Sequence, residues 1–253
     1  MAFLIVAFKA RITYRSSALF AMASSIIEIF IKLALWIYLY RDSQDMIEYM
    51  IMYTVLSNVI SLFYIDRITR MIGDKITDGS ITVDLMKPYH FIFSNYMQCL
   101  GELLANILLK GLPIILVFSV SLYKYADSIV VKQLPAALLA IVMGHFLYVL
   151  IFIIIGMSAM AFLEIQRIIR DIIQVLSGAF IPLSLFPDAL YRINLFLPFR
   201  FLFSFPLELM LNECTPSAML ENFRILSIWL ILLVMLVCAL EKYLTKRLIV
   251  QGG

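Results

Sequence analysis

Between Leu134 and Phe162 the chain carries no Asp, Glu, Lys or Arg. An apolar stretch of that length suits the interior of a bilayer, where a crossing helix needs about 20 mainly apolar residues. Five more stretches read the same way: Ser17–Tyr40, Met46–Tyr64, Leu100–Tyr123, Ile172–Leu185 and Ile225–Leu244. Six crossings are expected, the fifth of them short. Composition agrees, with 63% hydrophobic and 15% charged residues, where a soluble domain has roughly 45–50% and about 25%. The expected fold is all-α, a polytopic membrane protein forming one domain over residues 1–253, with no internal repeat and no dividing linker.

Two further segments are apolar but do not read as ordinary crossings. Phe186–Leu211 is interrupted by Pro187, Pro198 and Pro206. Proline breaks helical hydrogen bonding, so a re-entrant or interfacial helical pair is expected there, between the fifth and sixth crossings. Met1–Arg15 is apolar first and basic afterwards, ending in Lys9, Arg11 and Arg15. That order is the reverse of a signal peptide and suits a helix lying in the headgroup plane.

Lys and Arg placement sets the orientation. The N-terminus, the second and fourth loops and the C-terminal tail carry Lys9, Arg11, Arg15, Arg67, Arg70, Lys75, Lys87, Arg167, Arg170, Lys242, Lys246 and Arg247. The opposite side carries fewer, among them Arg41, Lys124, Lys132, Arg192 and Arg200. The basic side is the cytoplasmic one. With an even number of crossings, both termini are expected there.

Several chemistries lack their motifs. There is no GxxxxGK[ST] phosphate loop, no HExxH and no GxSxG, so neither nucleotide hydrolysis nor the corresponding hydrolase chemistry is expected of this chain. Cys99, Cys214 and Cys238 are too scattered for a disulfide framework. They show no metal-ligand spacing with His90 or His145, and no metal site is expected.

Polar groups inside the crossings are the next candidates. Glu28 and Lys32 lie four apart in the first span, on one helix face and in the favourable order. An intramembrane charge faces protein or water, so this pair reads either as a neutralised contact or as a substrate or ion site. Lys110 reads as a snorkelling or locally paired side chain, and His145 as a hydrogen-bonded structural histidine. Asn58, Ser61, Ser177 and Phe180 could line a path; polar side chains in spans also glue helices together.

The longest cytoplasmic connection, Asp66–His90, balances its charges. Asp78-Gly79 signals a turn, Ser80 suits an N-cap, and Pro88 stops the chain from continuing as helix. A short helix over Ser80–Lys87 is expected, with Ile81 and Leu85 on one face, Val83 and Met86 on another, and Asp84 between. One face can press on the membrane domain while the other meets a cytoplasmic partner; a solvated loop is the alternative.

The stretch "IGDKITDGSITVDLMKPYHF" resembles the segment between the second and third spans of ABC-2-type ABC transporter permeases, whose pattern is close to I-x-x-G-x-I/L-x-x-x-L-x-x-P. Leu176–Pro206 resembles that family's Gly- and Pro-containing region near the fifth span. The ending "VQGG" is similar to that of the subgroup called domain of unknown function 990. The resemblance implies a membrane-spanning permease subunit in a bacterial inner membrane, most simply an exporter. A second permease copy, identical or related, would complete the pathway. Two cytoplasmic ABC ATPase subunits would bind ATP and Mg and drive it, and this chain would hold no cofactor. The resemblance also implies that the Ser80–Lys87 helix docks on the ATPase through Gly79, Ile81, Asp84, Leu85, Met86, Lys87 and Pro88. Many relatives have an acid just after the glycine; here Ser80 stands there and Asp84 follows four residues on. The alternatives are an ATPase-associated membrane protein with a regulatory or immunity role, and an ion-coupled secondary carrier. The carrier would call for repeats or ion ligands that the sequence does not offer.

Overall fold

A computed structural model describes residues 2–13, 15–65, 67–88, 90–125, 129–158, 165–211 and 214–251; the last two residues of "VQGG" and the expected end of the fourth crossing at Phe162 lie outside the described residues. Every regular element among the described residues is helical. In chain order they are α1 (Ala2–Thr13), α2 (Arg15–Leu39), α3 (Gln44–Ser61), α4 (Arg67–Thr77), α5 (Ile81–Leu85) and α6 (Phe91–Tyr125). Then follow α7 (Leu134–Met157), α8 (Ile165–Leu176), α9 (Asp188–Asn194), α10 (Ser204–Leu211) and α11 (Pro216–Gln251). Short 3-10 turns occur at Val131–Gln133, Leu183–Leu185 and Pro198–Phe201.

Four helical stretches among the described residues are long and apolar enough to cross a membrane: Met22–Leu39, Phe91–Ser121, Val131–Met157 and Pro216–Leu244. They coincide with the first, third, fourth and sixth expected crossings. The second expected crossing is α3, which has 18 residues, with Asp45 and Glu48 in its opening turns. By helix rise it is roughly 27 Å long. Its residues from Met50 to Ile60 are almost all buried in protein.

The fifth expected crossing is not one helix. Helix α8 begins before Ile172 and stops at Leu176; the chain then turns through Gly178 and continues into the Leu183–Leu185 turn. The sequence "IQRIIRDIIQVL" explains this. Its polar residues recur every three or four positions, which makes an amphipathic helix. A reading that looks only for unbroken apolarity starts too late. The Pro-rich stretch divides into α9, a 3-10 turn and α10. Pro187 caps α9 and Pro198 opens the turn, as expected for a residue with fixed φ and no N–H.

Two helices organise the packing. Helix α7 gathers α4, α10 and α11, and α6 gathers α1, α2 and α3. The centre is aromatic: the Tyr148 ring stacks on Tyr64 at 4.5 Å and on Phe152 at 4.1 Å. The Tyr64 hydroxyl donates to the Leu202 carbonyl, which ties the end of α3 to the chain entering α10. Helix α1 lies so close along α6 that a Cβ on Gly101 would collide with the Leu4 carbonyl.

Candidate functional site

The segment between α3 and α6 holds more structure than its charges suggest. Ile68, Ile72 and Ile76 recur every four residues and are all buried in α4. That pattern is the sequence signal for this helix, hidden because Arg67, Arg70, Asp74 and Lys75 occupy the other positions. Helix α4 lies flush against the end of α7. A Cβ on Gly156 would stand 2.9 Å from the Thr69 carbonyl oxygen and 3.1 Å from the Ile72 Cβ.

The chain then reverses at Asp78-Gly79. Gly79 has φ of 77°, a left-handed conformation that costs other residues about 1–2 kcal/mol. One Asp78 carboxylate oxygen accepts the Ser80 N–H at 2.8 Å. Hydrogen bonds from the Ser80 side chain and backbone hold that carboxyl below the usual carboxylate range. Ser80 precedes α5, but its side chain makes no capping bond. The Gly79 carbonyl instead accepts from the Thr82 N–H at 3.2 Å and the Thr82 hydroxyl at 2.8 Å. Helix α5 is therefore a single turn, shorter than the expected Ser80–Lys87.

The faces of α5 are now assigned. Ile81 is 2% exposed and belongs to the main core. Asp84 is 8% exposed, and each of its oxygens takes a lysine: Lys75 Nζ at 2.6 Å and Lys87 Nζ at 2.5 Å. Lys75 also donates to Asn95 Oδ1 at 2.8 Å and lies over the Phe91 ring at 5.7 Å. One lysine thus clasps α4, α5 and the first turn of α6. Burial alone would raise the Asp84 carboxyl, but hydrogen bonds from Lys75 and Lys87 outweigh it and hold it below the usual range. Ile81 and Asp84 therefore face the protein's own helices. Val83, Met86, Lys87, Pro88 and Gly79 face outward, with Met86 87% exposed. The Leu85 side chain lies outside the described residues.

Above this segment a polar cavity of about 710 Å³ opens between α2, α3, α4, α6, α7 and α8. Its α6 wall is one stripe, Cys99, Glu102, Asn106, Lys110 and Ile114, spaced at three and four residues and spanning roughly 22 Å of helix. Opposite stand Ser24, Ser25 and Glu28 of α2, Asn58 and Ser61 of α3, and Arg170 and Gln174 of α8. The polar side of α8 thus faces the cavity, while Ile168, Ile172 and Val175 are exposed outward.

The four path residues separate. Asn58 and Ser61 line the cavity. Ser177 is fully buried, donating to the Gln174 carbonyl at 2.8 Å. Phe180 lies outside the cavity wall against Trp36, with ring centroids 6.1 Å apart. Lys32 bonds Glu28 at 2.7 Å and sits 5.5 Å from the Phe180 ring. Glu102 pairs with Arg67 of α4, an ion pair absent from the sequence reading because its members are far apart in the chain. His145 ties α7 to α6 and to the turn that follows α3. In its neutral ring Nδ1–H donates to the Phe63 carbonyl at 2.6 Å, and Nε2 accepts from the Tyr96 hydroxyl at 3.0 Å. Among the described residues no group of His, Cys, Asp and Glu is placed to hold a metal ion.

No curated protein matches the chain. A family model does: that of the ABC-2 family transporter protein matches residues 26–246, from the middle of α2 to within five residues of the end of α11. The matched span includes the α4–α5 segment and every residue lining the cavity except Ser24 and Ser25. The chain belongs to the ABC-2 family of transporter proteins, the membrane components of ABC transporters.

Proposed function

We propose that this chain is the permease half of an ATP-driven exporter in a bacterial inner membrane. It crosses six times through α2, α3, α6, α7, the α8 segment and α11, with both termini cytoplasmic. Met1–Arg15 lies in the cytoplasmic headgroup plane, and α9 and α10 form the re-entrant region. Two copies, or this chain and a related permease, enclose the cargo path, and two ABC ATPase subunits supply ATP and Mg. This chain binds neither. The family and the apolar helices support a multi-pass membrane component that works with ABC ATPases; the count of crossings, the direction of transport and the dimer are our reading.

The observation that carries the coupling step is the way α5 is held. A turn whose inward residues, Ile81 and Asp84, are tied to α4 and α6 leaves Val83 and Met86 protruding. Exposed apolar side chains on a braced turn suit the anchor of a protein contact. Gly79, Lys87 and Pro88 border that surface. Asn58 and Ser61 are proposed on the path, with Glu28 and Lys32 as the charge pair beside it. The test is co-purification with the ATP-binding subunit encoded beside this chain. Val83→Arg together with Met86→Arg should abolish capture while leaving membrane insertion intact. Undiminished capture would remove this surface from the docking site.

A further inference from the structure

The charges on the cavity wall do not balance. Arg67, Arg70, Lys75, Lys110 and Arg170 face it, against Glu28, Asp74 and Glu102. Most are already committed: Arg67 to Glu102, Lys75 to Asp84, and Glu28 to Lys32. Arg170 approaches its neighbour Asp171 at 3.6 Å, an acid that points to solvent. Asp74 lies one turn from Arg70 on α4 and can share it. Lys110 has no such neighbour. One turn before and after it on the wall are Asn106 and Ile114, and no ion-pair partner for it occurs among the described residues. An unpaired ammonium at that depth in a span costs several kcal/mol unless water or an anion reaches it.

We propose that the cavity is an anion site, with Lys110 as the cation that takes a phosphate-type oxyanion. An ammonium offers three donors to such a group, and the excess of basic over acidic side chains on the wall favours an anion there. Asn58, Asn106 and Gln174 give the same wall a polar lining, and Leu62, Leu103 and Ile114 line the space beside it. The cavity volume is in the range of small-molecule sites, so the oxyanion can arrive free or as the head of a lipid. This deepens the proposed pathway, because Asn58 and Ser61 share the cavity.

The test is calorimetric titration of the full chain in phosphatidylcholine nanodiscs. Three probes are used: glycerol 3-phosphate, dihexanoylphosphatidylglycerol and dihexanoylphosphatidylcholine. At least one anionic probe should bind and the zwitterionic one should not; which anionic probe binds tells a free oxyanion from a lipid head. Lys110→Gln should weaken binding at least tenfold, and Lys110→Arg should keep it within threefold. No anionic binding, or Lys110→Gln within twofold of wild type, overturns the proposal. A second measurement leaves every cavity charge in place. Asn106→Cys should favour an anionic over a cationic methanethiosulfonate, relative to a free thiol in solution and with wild-type labelling subtracted. A ratio at or below the solution value also overturns it. Binding that depends on Lys110, with turnover of the assembled transporter indifferent to the probe, would uphold the anion site and remove Asn58 and Ser61 from the path.

Discussion

Replacing Asp84 with Asn should unseat α5 without unfolding the membrane helices. The wild-type carboxylate takes Lys75 at 2.6 Å and Lys87 at 2.5 Å. The two bonds differ in worth. The Lys87 side chain is 41% exposed, so its bond counts as a surface pair, at most about 1 kcal/mol. Lys75 is less exposed and also holds Asn95; a hydrogen bond to a charged group contributes about 1.5–3 kcal/mol. Some of this survives in the amide, so the net loss is about 2–3 kcal/mol. The loss falls on local opening of residues 79–88, because Ile81 still anchors the turn in the core. Hydrogen exchange read by mass spectrometry should show it. The amides of Thr82, Val83, Asp84 and Lys87 are hydrogen-bonded within the turn, and their protection should fall roughly 30- to 150-fold at about 1.4 kcal/mol per decade. Protection in α7 should not change. Acid should act like the substitution. The folded Asp84 carboxyl is held below its unfolded value of about 3.9. Its stabilisation is therefore present above that value and lost as pH falls through the depressed one, leaving the turn insensitive across neutral pH. Protection within twofold of wild type in Asp84→Asn, or a loss shared by α7, would refute this account of the clasp.

Three further outcomes follow from the packing. Gly156→Ala should lower the melting temperature, because its methyl would press on Thr69 and Ile72 even though Ala gains about 1 kcal/mol in a helix interior; a rise would show that α4 can move away freely. His145→Phe leaves the Phe63 carbonyl and the Tyr96 hydroxyl without their partner, at a cost of about 2–4 kcal/mol. For a chain of this size that is a fall of roughly 4–16 °C, and an unchanged melting curve would mean both groups find other partners. Lys32→Met alone should reduce the yield of folded protein more than Lys32→Met with Glu28→Gln, since the single change strands a charge; equal yields would show that Glu28 does not depend on Lys32.

The sequence makes the uncharged and well-capped features legible. The four long apolar stretches need only hydropathy. The Asp78-Gly79 reversal needs only turn chemistry, and the structure realises it with the glycine in a left-handed conformation. What escapes is whatever depends on which face is covered. Periodicity divides α5 into Ile81 and Val83 sides, but only packing into the core says that Ile81 is inside. The charged half of α8 and the isoleucines of α4 are misread for a related reason: an amphipathic helix beside a wet cavity looks, residue by residue, like a loop. The Ser80 side chain does not cap α5, because the Gly79 carbonyl and Thr82 satisfy that turn locally. The cavity was visible only as scattered polar residues, since its walls come from six helices spread along the sequence.

Lys75 joins the α5 surface to the helix that walls the cavity. Its ammonium holds Asp84 on one side and Asn95 on the other, and Asn95 sits in the first turns of α6. From Phe91 to Lys110 that helix is uninterrupted, with Pro113 lying beyond, so its near end and the cavity wall are one strut about 30 Å long. Met86 and Lys110 are thus linked through one side chain and one unbroken helix. The exposed turn and the cavity wall therefore need no separate element to join them: they share α6.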